Sequence, residues 1–134
     1  MNNQLVVPDK TEQVLIKLKS LSNDFIGQGS KKPSAKALRK VKKVLTTLES
    51  GYMPFPSITP MPTGGIILSW TSMTRDIVMI VDNVGDVQFT TSLKKVDIET
   101  AEVVDRLDSE GFVTDMLSID HIMVWFCADV ANHA

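Results

Sequence analysis

The sequence predicts an α+β fold in which N-terminal helices pack on a small antiparallel β-meander and a further helix lies toward the C-terminus. Three observations carry this. Apolar residues recur at 3/4 spacing through the first fifty positions, the period shortens to two after Gly64-Gly65, and helical spacing returns from Asp97. A chain of 134 residues, 43% hydrophobic and 22% charged, has the length and composition of a single domain spanning 1–134 with its own core.

Residues 1–8 carry no periodic pattern and are expected to form a flexible N-terminus; they also lack the charged start and apolar stretch of a signal peptide. A first helix starts after Asp9, whose carboxylate can accept from free backbone N–H groups, and places Val14, Leu15, Leu18 and Leu21 on one side. Gly27, Gly29 and Pro33 mark an ordered loop. The second helix runs from about Ser34 to Ser50, capped by Pro33-Ser34, striped by Ala37, Leu38, Val41, Val44, Leu45 and Leu48, and stopped by Gly51. Prolines at 54, 56, 60 and 62 then fix φ and remove donors, which leaves that segment as an edge strand or a surface strap. Three strands follow, around 66–71, 76–81 and 87–90, joined by hairpin-length connections at 71–74 and 82–86. A sheet of this size needs a cover, and the second helix is the natural lid. From Asp97 the apolar positions Ile98, Ala101, Val104 and Leu107 predict a third helix with Glu99, Glu102, Asp105, Asp108 and Glu110 outward. Residues 112–134 suit either a buried strand or a buried helix, with the length favouring helix.

Three segments carry a resemblance. They are Gly27-Gln28-Gly29-Ser30, then Pro33-Ser34, then Pro56-Ser57-Ile58-Thr59-Pro60 with Gly64-Gly65-Ile66-Ile67-Leu68-Ser69-Trp70. In these the chain resembles a set of short, functionally uncharacterised bacterial proteins that share a G-x-G-[AS] turn, a proline-led helix and a P-x-I-x-P-x-x-x-G-G-I-x-L-x-W segment. The likeness covers roughly residues 24–90, departs from the usual pattern at Thr63 and Ser69, and implies a helix followed by a meander, with no activity attached.

The sequence excludes several chemistries. One cysteine, Cys127, allows neither an intrachain disulfide nor a multi-cysteine zinc site. The Gly27/Gly29 turn precedes a helix without a strand before it and lacks the third glycine of a dinucleotide site; Gly64-Gly65 has no following Lys-Ser/Thr. No cofactor is therefore expected. His121 and Cys127, with Asp120 or Asp129, are the available hydrolytic set, but a separation of six places the two about 120° apart on a helix or nearly 20 Å apart on a strand. His133 is the only other histidine, too few for a metal site. Trp70 and Trp125, each in apolar surroundings, are expected in the core. The longest apolar run, 122–128, is far short of the ~20 residues that span a bilayer, so a soluble cytoplasmic protein without a membrane partner is expected.

Charge is the informative feature. The formal net charge of −2 conceals ten Lys/Arg against four Asp/Glu in residues 1–50 and four against twelve in residues 51–134. Seven bases and no acid lie between Lys31 and Lys43. At 100° per residue Lys36, Arg39, Lys40 and Lys43, with Lys32 just before them, form a basic face, which Glu99, Glu102 and Asp105 oppose as an acidic one. Three readings stand open: a non-catalytic protein–protein interaction module acting as a small accessory or regulatory factor, through a protein partner or self-association; a nucleic-acid-binding regulator using the basic face; and a small enzyme of unknown type.

Overall fold

The computed structural model describes residues 9–133, with side chains described through residue 128. The expected flexible N-terminus, 1–8, lies outside the described residues. Two helices, α1 (Lys10–Lys19) and α2 (Ala35–Ser50), precede five strands, β1 (Ser57–Pro60), β2 (Ile66–Thr71), β3 (Arg75–Val81), β4 (Val87–Val96) and β5 (Val103–Val113), and α3 (Met116–His133) ends the chain. The α+β class stands, with one antiparallel sheet in the order β1-β2-β3-β4-β5.

The helices begin where the sequence places them. Asp9 Oδ1 accepts from Glu12 N–H at 2.8 Å, and Ser34 Oγ accepts from Ala37 N–H at 3.0 Å, each satisfying a donor that the first helical turn leaves orphaned. The two helices are tied where α1 starts and α2 ends: the Thr11 hydroxyl donates to Glu49 Oε1 at 2.7 Å. The core is a single cluster, in which Val41, Val44, Leu45 and Leu48 of α2 meet Leu68, Ile77, Met79 and Val81 of the sheet and Ile119, Met123 and Phe126 of α3. All helices therefore sit on one face of the sheet, and α2 shares with α3 the task of covering it.

The N-terminus of α2 is pinned to two loops. Ser34 N–H donates to the Gly64 carbonyl at 3.0 Å, and Ser34 Oγ donates to the Asn83 carbonyl at 2.6 Å. Gly64 has φ +89°, and a Cβ on the adjacent Gly65 would lie 2.6 Å from the Val81 carbonyl oxygen. Both glycines are thus required, Gly64 by its dihedral and Gly65 by the approach of β3. The proline segment supplies the edge strand β1 as well as a strap, held where the Trp70 indole N–H donates to the Pro54 carbonyl at 2.9 Å.

The sequence reading needs correction from residue 90 onward. There are five strands instead of three, β4 continues to Val96, and residues 103–113 form β5 instead of a helix. The i, i+3 apolar pattern at Ile98, Val104 and Leu107 never meets a core: these residues are 97%, 52% and 56% exposed. What fixes the strand is the ladder to β4, which pairs the β4 backbone from Val87↔Val113 out to Val96↔Val103 and so satisfies groups that an edge strand would leave open. The turn contains Ala101 at φ +58°, with Ala101 N–H donating to the Asp97 carbonyl at 2.7 Å. A left-handed residue that is not glycine gives no turn signal in a sequence. Residues 112 and 113 complete β5, and Met116–His133 is helical, as its length favoured.

Gly65→Ala is expected to destabilise the fold by about 1–3 kcal/mol, because backbone and not a flexible side chain stands in the way, and Leu45→Ala by about 2–5 kcal/mol through the cavity it leaves. Urea unfolding midpoints at constant m-value measure both.

Candidate functional site

Two surfaces and one thiol were singled out by sequence, and the structure treats them differently. On α2, Lys36, Arg39 and Lys43 are exposed, as is Lys32 before the helix, whereas Lys40 is half-buried. Among the described residues none of these forms an ion pair; the pair present joins Lys94 Nζ to Asp76 Oδ1 at 3.0 Å. Their charge is displayed because the opposite side of α2, bearing Ala37, Val41, Val44, Leu45 and Leu48, is committed to the core.

The acidic helix face does not exist as expected. Glu99 and Glu102 lie in the β4–β5 turn, and Asp105 stands on β5 opposite Lys94. The three acids instead belong to a projecting arm. β2 and β3 have six and seven residues, β4 and β5 ten and eleven, so at ~3.3 Å per residue the β4–β5 hairpin outruns its neighbours by about 10 Å or more. Every residue from Lys95 to Glu110 is exposed. Val96, Ile98, Val103, Val104 and Leu107, between 52% and 97% exposed, place five large apolar side chains in solvent among Asp97, Glu99, Glu102, Asp105 and Asp108. Sequence reasoning placed Ile98, Val104 and Leu107 of this set on a core-facing helix and did not single out Val96 or Val103. The adjacent β-branched pair Val103-Val104 was the available signal, masked by the helical spacing around it.

A second feature missed from sequence is a groove of about 280 Å³ between α1 and α2, lined by Leu15, Ala35 and Leu38 and by Lys19, Arg39 and Lys42. Its lining joins three apolar residues, of which Leu15 is buried and Leu38 half-buried, to a rim of three exposed cations. Only Arg39 of this rim belongs to the basic face read from spacing.

The G-x-G-S loop turns its polar groups inward. Gly29 N–H donates to Asp24 Oδ1 at 2.7 Å, Ile26 N–H to Ser30 Oγ at 3.2 Å, and the Ser30 hydroxyl to the Gly27 carbonyl at 2.8 Å. These amides are occupied by the loop itself, which makes it a structural turn. The Lys31 N–H reaches the Pro62 carbonyl at 2.8 Å, so the G-x-G-S loop and the proline segment meet at one corner of the molecule.

His121 and Cys127 are not brought together: His121 is exposed, while Cys127 is half-buried against Met53, Sγ to Sδ 3.9 Å. Burial pushes the Cys127 thiol up from its ordinary value. Asp115, on the approach to α3, is held below the ordinary carboxylate range, first by the backbone N–H of Ser118 and then by its hydroxyl; this is a helix-start role. The side chains of Asp129 and His133 lie outside those described. Trp70 is a core anchor at 3% exposure. Trp125 is not fully buried; the Arg75 guanidinium stacks 4.8 Å from its ring centroid and donates to its carbonyl. Among the described residues no three His, Cys, Asp or Glu side chains converge as a metal site would need, and no helix is long and apolar enough to cross a membrane.

The fold and its surfaces define an α+β domain with its helices on one face of the sheet and an exposed hairpin arm. No protein-family model, curated protein or solved structure matches the chain.

Because Cys127 is half-buried and burial raises its thiol, it is expected to be alkylated by iodoacetamide at pH 8 more slowly in the folded protein than in urea, the thiolate being the reacting form. Equal rates would place it in an open, unperturbed environment, and a faster folded-state rate in an activated one.

Proposed function

We propose that this protein is a non-catalytic protein–protein interaction module, a small soluble cytoplasmic accessory or regulatory factor whose contact element is the β4–β5 arm. One observation carries the reading: five large apolar side chains stand in solvent on a two-stranded hairpin that no other element covers among the described residues. A two-stranded hairpin is marginal by itself in water, and apolar side chains gathered on a projecting element are the usual mark of a surface that meets another. The outer edge of β5 adds free backbone donors and acceptors, and its acidic side chains with the irregularity at Thr91/Ser92 guard that edge against indiscriminate pairing.

The test is an arm-shortened variant in which residues 95–104 are replaced by Asn-Gly, since the core lies below the cut. Tagged full-length chain and variant are passed over a lysate of the source cells, and bound proteins, including untagged copies of the chain, are identified and quantified by mass spectrometry. Stoichiometric capture by the full-length chain, reduced at least about tenfold in a variant of unchanged circular dichroism, is the expected result. Capture unaffected by arm removal, or none at all, overturns the reading.

A specific observation favours a second reading, nucleic-acid binding by α2: Lys32, Lys36, Arg39 and Lys43 are exposed without ion-pair partners among the described residues. On that reading, affinity for duplex DNA or RNA falls steeply between 50 and 200 mM salt, roughly as the number of phosphates neutralised, and drops further in Lys36→Glu/Lys43→Glu. Absence of binding at low salt removes it.

A further inference from the structure

We propose that the arm's partner is a second copy of this chain: the arm tip of each protomer, Asp97 to Glu102, seats in the α1–α2 groove of the other, with Ile98 on the apolar floor and Glu99 and Glu102 against Lys19, Arg39 and Lys42. This rests on the reading of the arm as a contact element and names its occupant.

Charge complementarity selects the pairing. Residues 97–110 carry six acids and one base, whereas residues 31–43 carry seven bases and no acid. Shape agrees. Ile98 is the most exposed apolar side chain of the arm, 97% in solvent at the tip, and the groove offers about 280 Å³ with Leu15, Ala35 and Leu38 beneath a rim of three cations. The tip is also shaped in advance, since Asp97 Oδ1 accepts from Glu99 N–H at 2.9 Å and Asp97 N–H donates to the Glu102 carbonyl at 2.8 Å. A preformed turn loses little freedom on docking.

The two patches cannot meet within one chain. The start of α2 is fixed to the β3–β4 turn, where Ser34 reaches Asn83 and Gly85 abuts Lys36. β4 leaves that turn and runs ten residues to the arm tip, about 30 Å away. Acidic and basic ends thus lie at opposite poles. Two such molecules side by side and antiparallel place each pole on its complement twice, which closes a two-fold dimer and leaves neither patch open.

The experiment is sedimentation velocity on the full chain in 50 mM and 500 mM NaCl. The expected result is a particle of twice the 14.8 kDa chain mass at low salt that dissociates as salt rises. Arg39→Glu/Lys42→Glu and, separately, Glu99→Lys/Glu102→Lys each weaken self-association at least about tenfold, while an equimolar mixture of the two regains it as a one-to-one heterodimer, because both contacts are again of opposite sign. Ile98→Asp weakens it in the wild-type charge background. These four positions besides Ile98 are exposed and their side chains hold no hydrogen bond among the described residues, so the folds survive. A wild-type monomer at both salt concentrations overturns the proposal, as does a dimer that both reversals leave intact. If the chain is monomeric yet captures a different protein through its arm, the interaction reading stands and only the choice of partner falls.

Discussion

Besides its carbonyl, which accepts from Leu38 N–H within the helix, Ser34 makes three hydrogen bonds at one point of the molecule: its N–H to Gly64, its hydroxyl to Asn83, and its hydroxyl oxygen from Ala37 N–H. The first two join the start of α2 to the loop before β2 and to the turn after β3, and the third starts the helix. With that end fixed, α2 lies across the sheet at one height only. Val41, Val44, Leu45 and Leu48 then fall over Leu68, Ile77, Met79 and Val81, which are almost wholly excluded from water. Gly65 lets β2 come close enough for this, since any Cβ would meet the Val81 carbonyl.

The same fixed position decides what stays uncovered. α2 and α3 cover the part of the sheet where the six and seven residues of β2 and β3 pair, and the longer β4 and β5 run on beyond it. Past Lys94 the pairing is supported by the ladder alone, so both faces are wet and the apolar side chains of the arm are left uncovered among the described residues. The pinned end of α2 carries the basic residues, and the free end of the sheet carries the acids. Separation of charge along the sequence has become separation of charge across the molecule, with a length of strand between the two signs.

The helices and their caps were legible because each signal is local. An Asp or Ser accepts from an N–H three residues on, and a stripe at 3/4 spacing lines one face of a single element. The proline segment and Trp70 were legible for similar reasons. The arm was not. Ile98, Ala101, Val104 and Leu107 satisfy a helical template as well as any buried stripe, and Ala101 takes the left-handed turn conformation without the glycine that would have announced it. Reading those residues as a helix placed Glu99, Glu102 and Asp105 on a face that does not form. The α1–α2 groove escaped for a different reason: Lys19 and Lys42 are 23 positions apart in sequence, and only packing brings α1 against α2.

By itself the sequence determined the α+β class, the start of α1 and both limits of α2, the edge character of the proline segment and the opposed charge of its two halves, all of which follow from interactions within a few residues or from composition. Only the tertiary structure decided that 103–113 is a strand, that its acids sit on a projecting arm and that the basic rim of the α1–α2 groove lies at the other pole. A backbone segment chooses between helix and strand by what lies beside it. For β5 that neighbour is β4, whose open donors and acceptors outweigh a weak helical pattern that had no core to face.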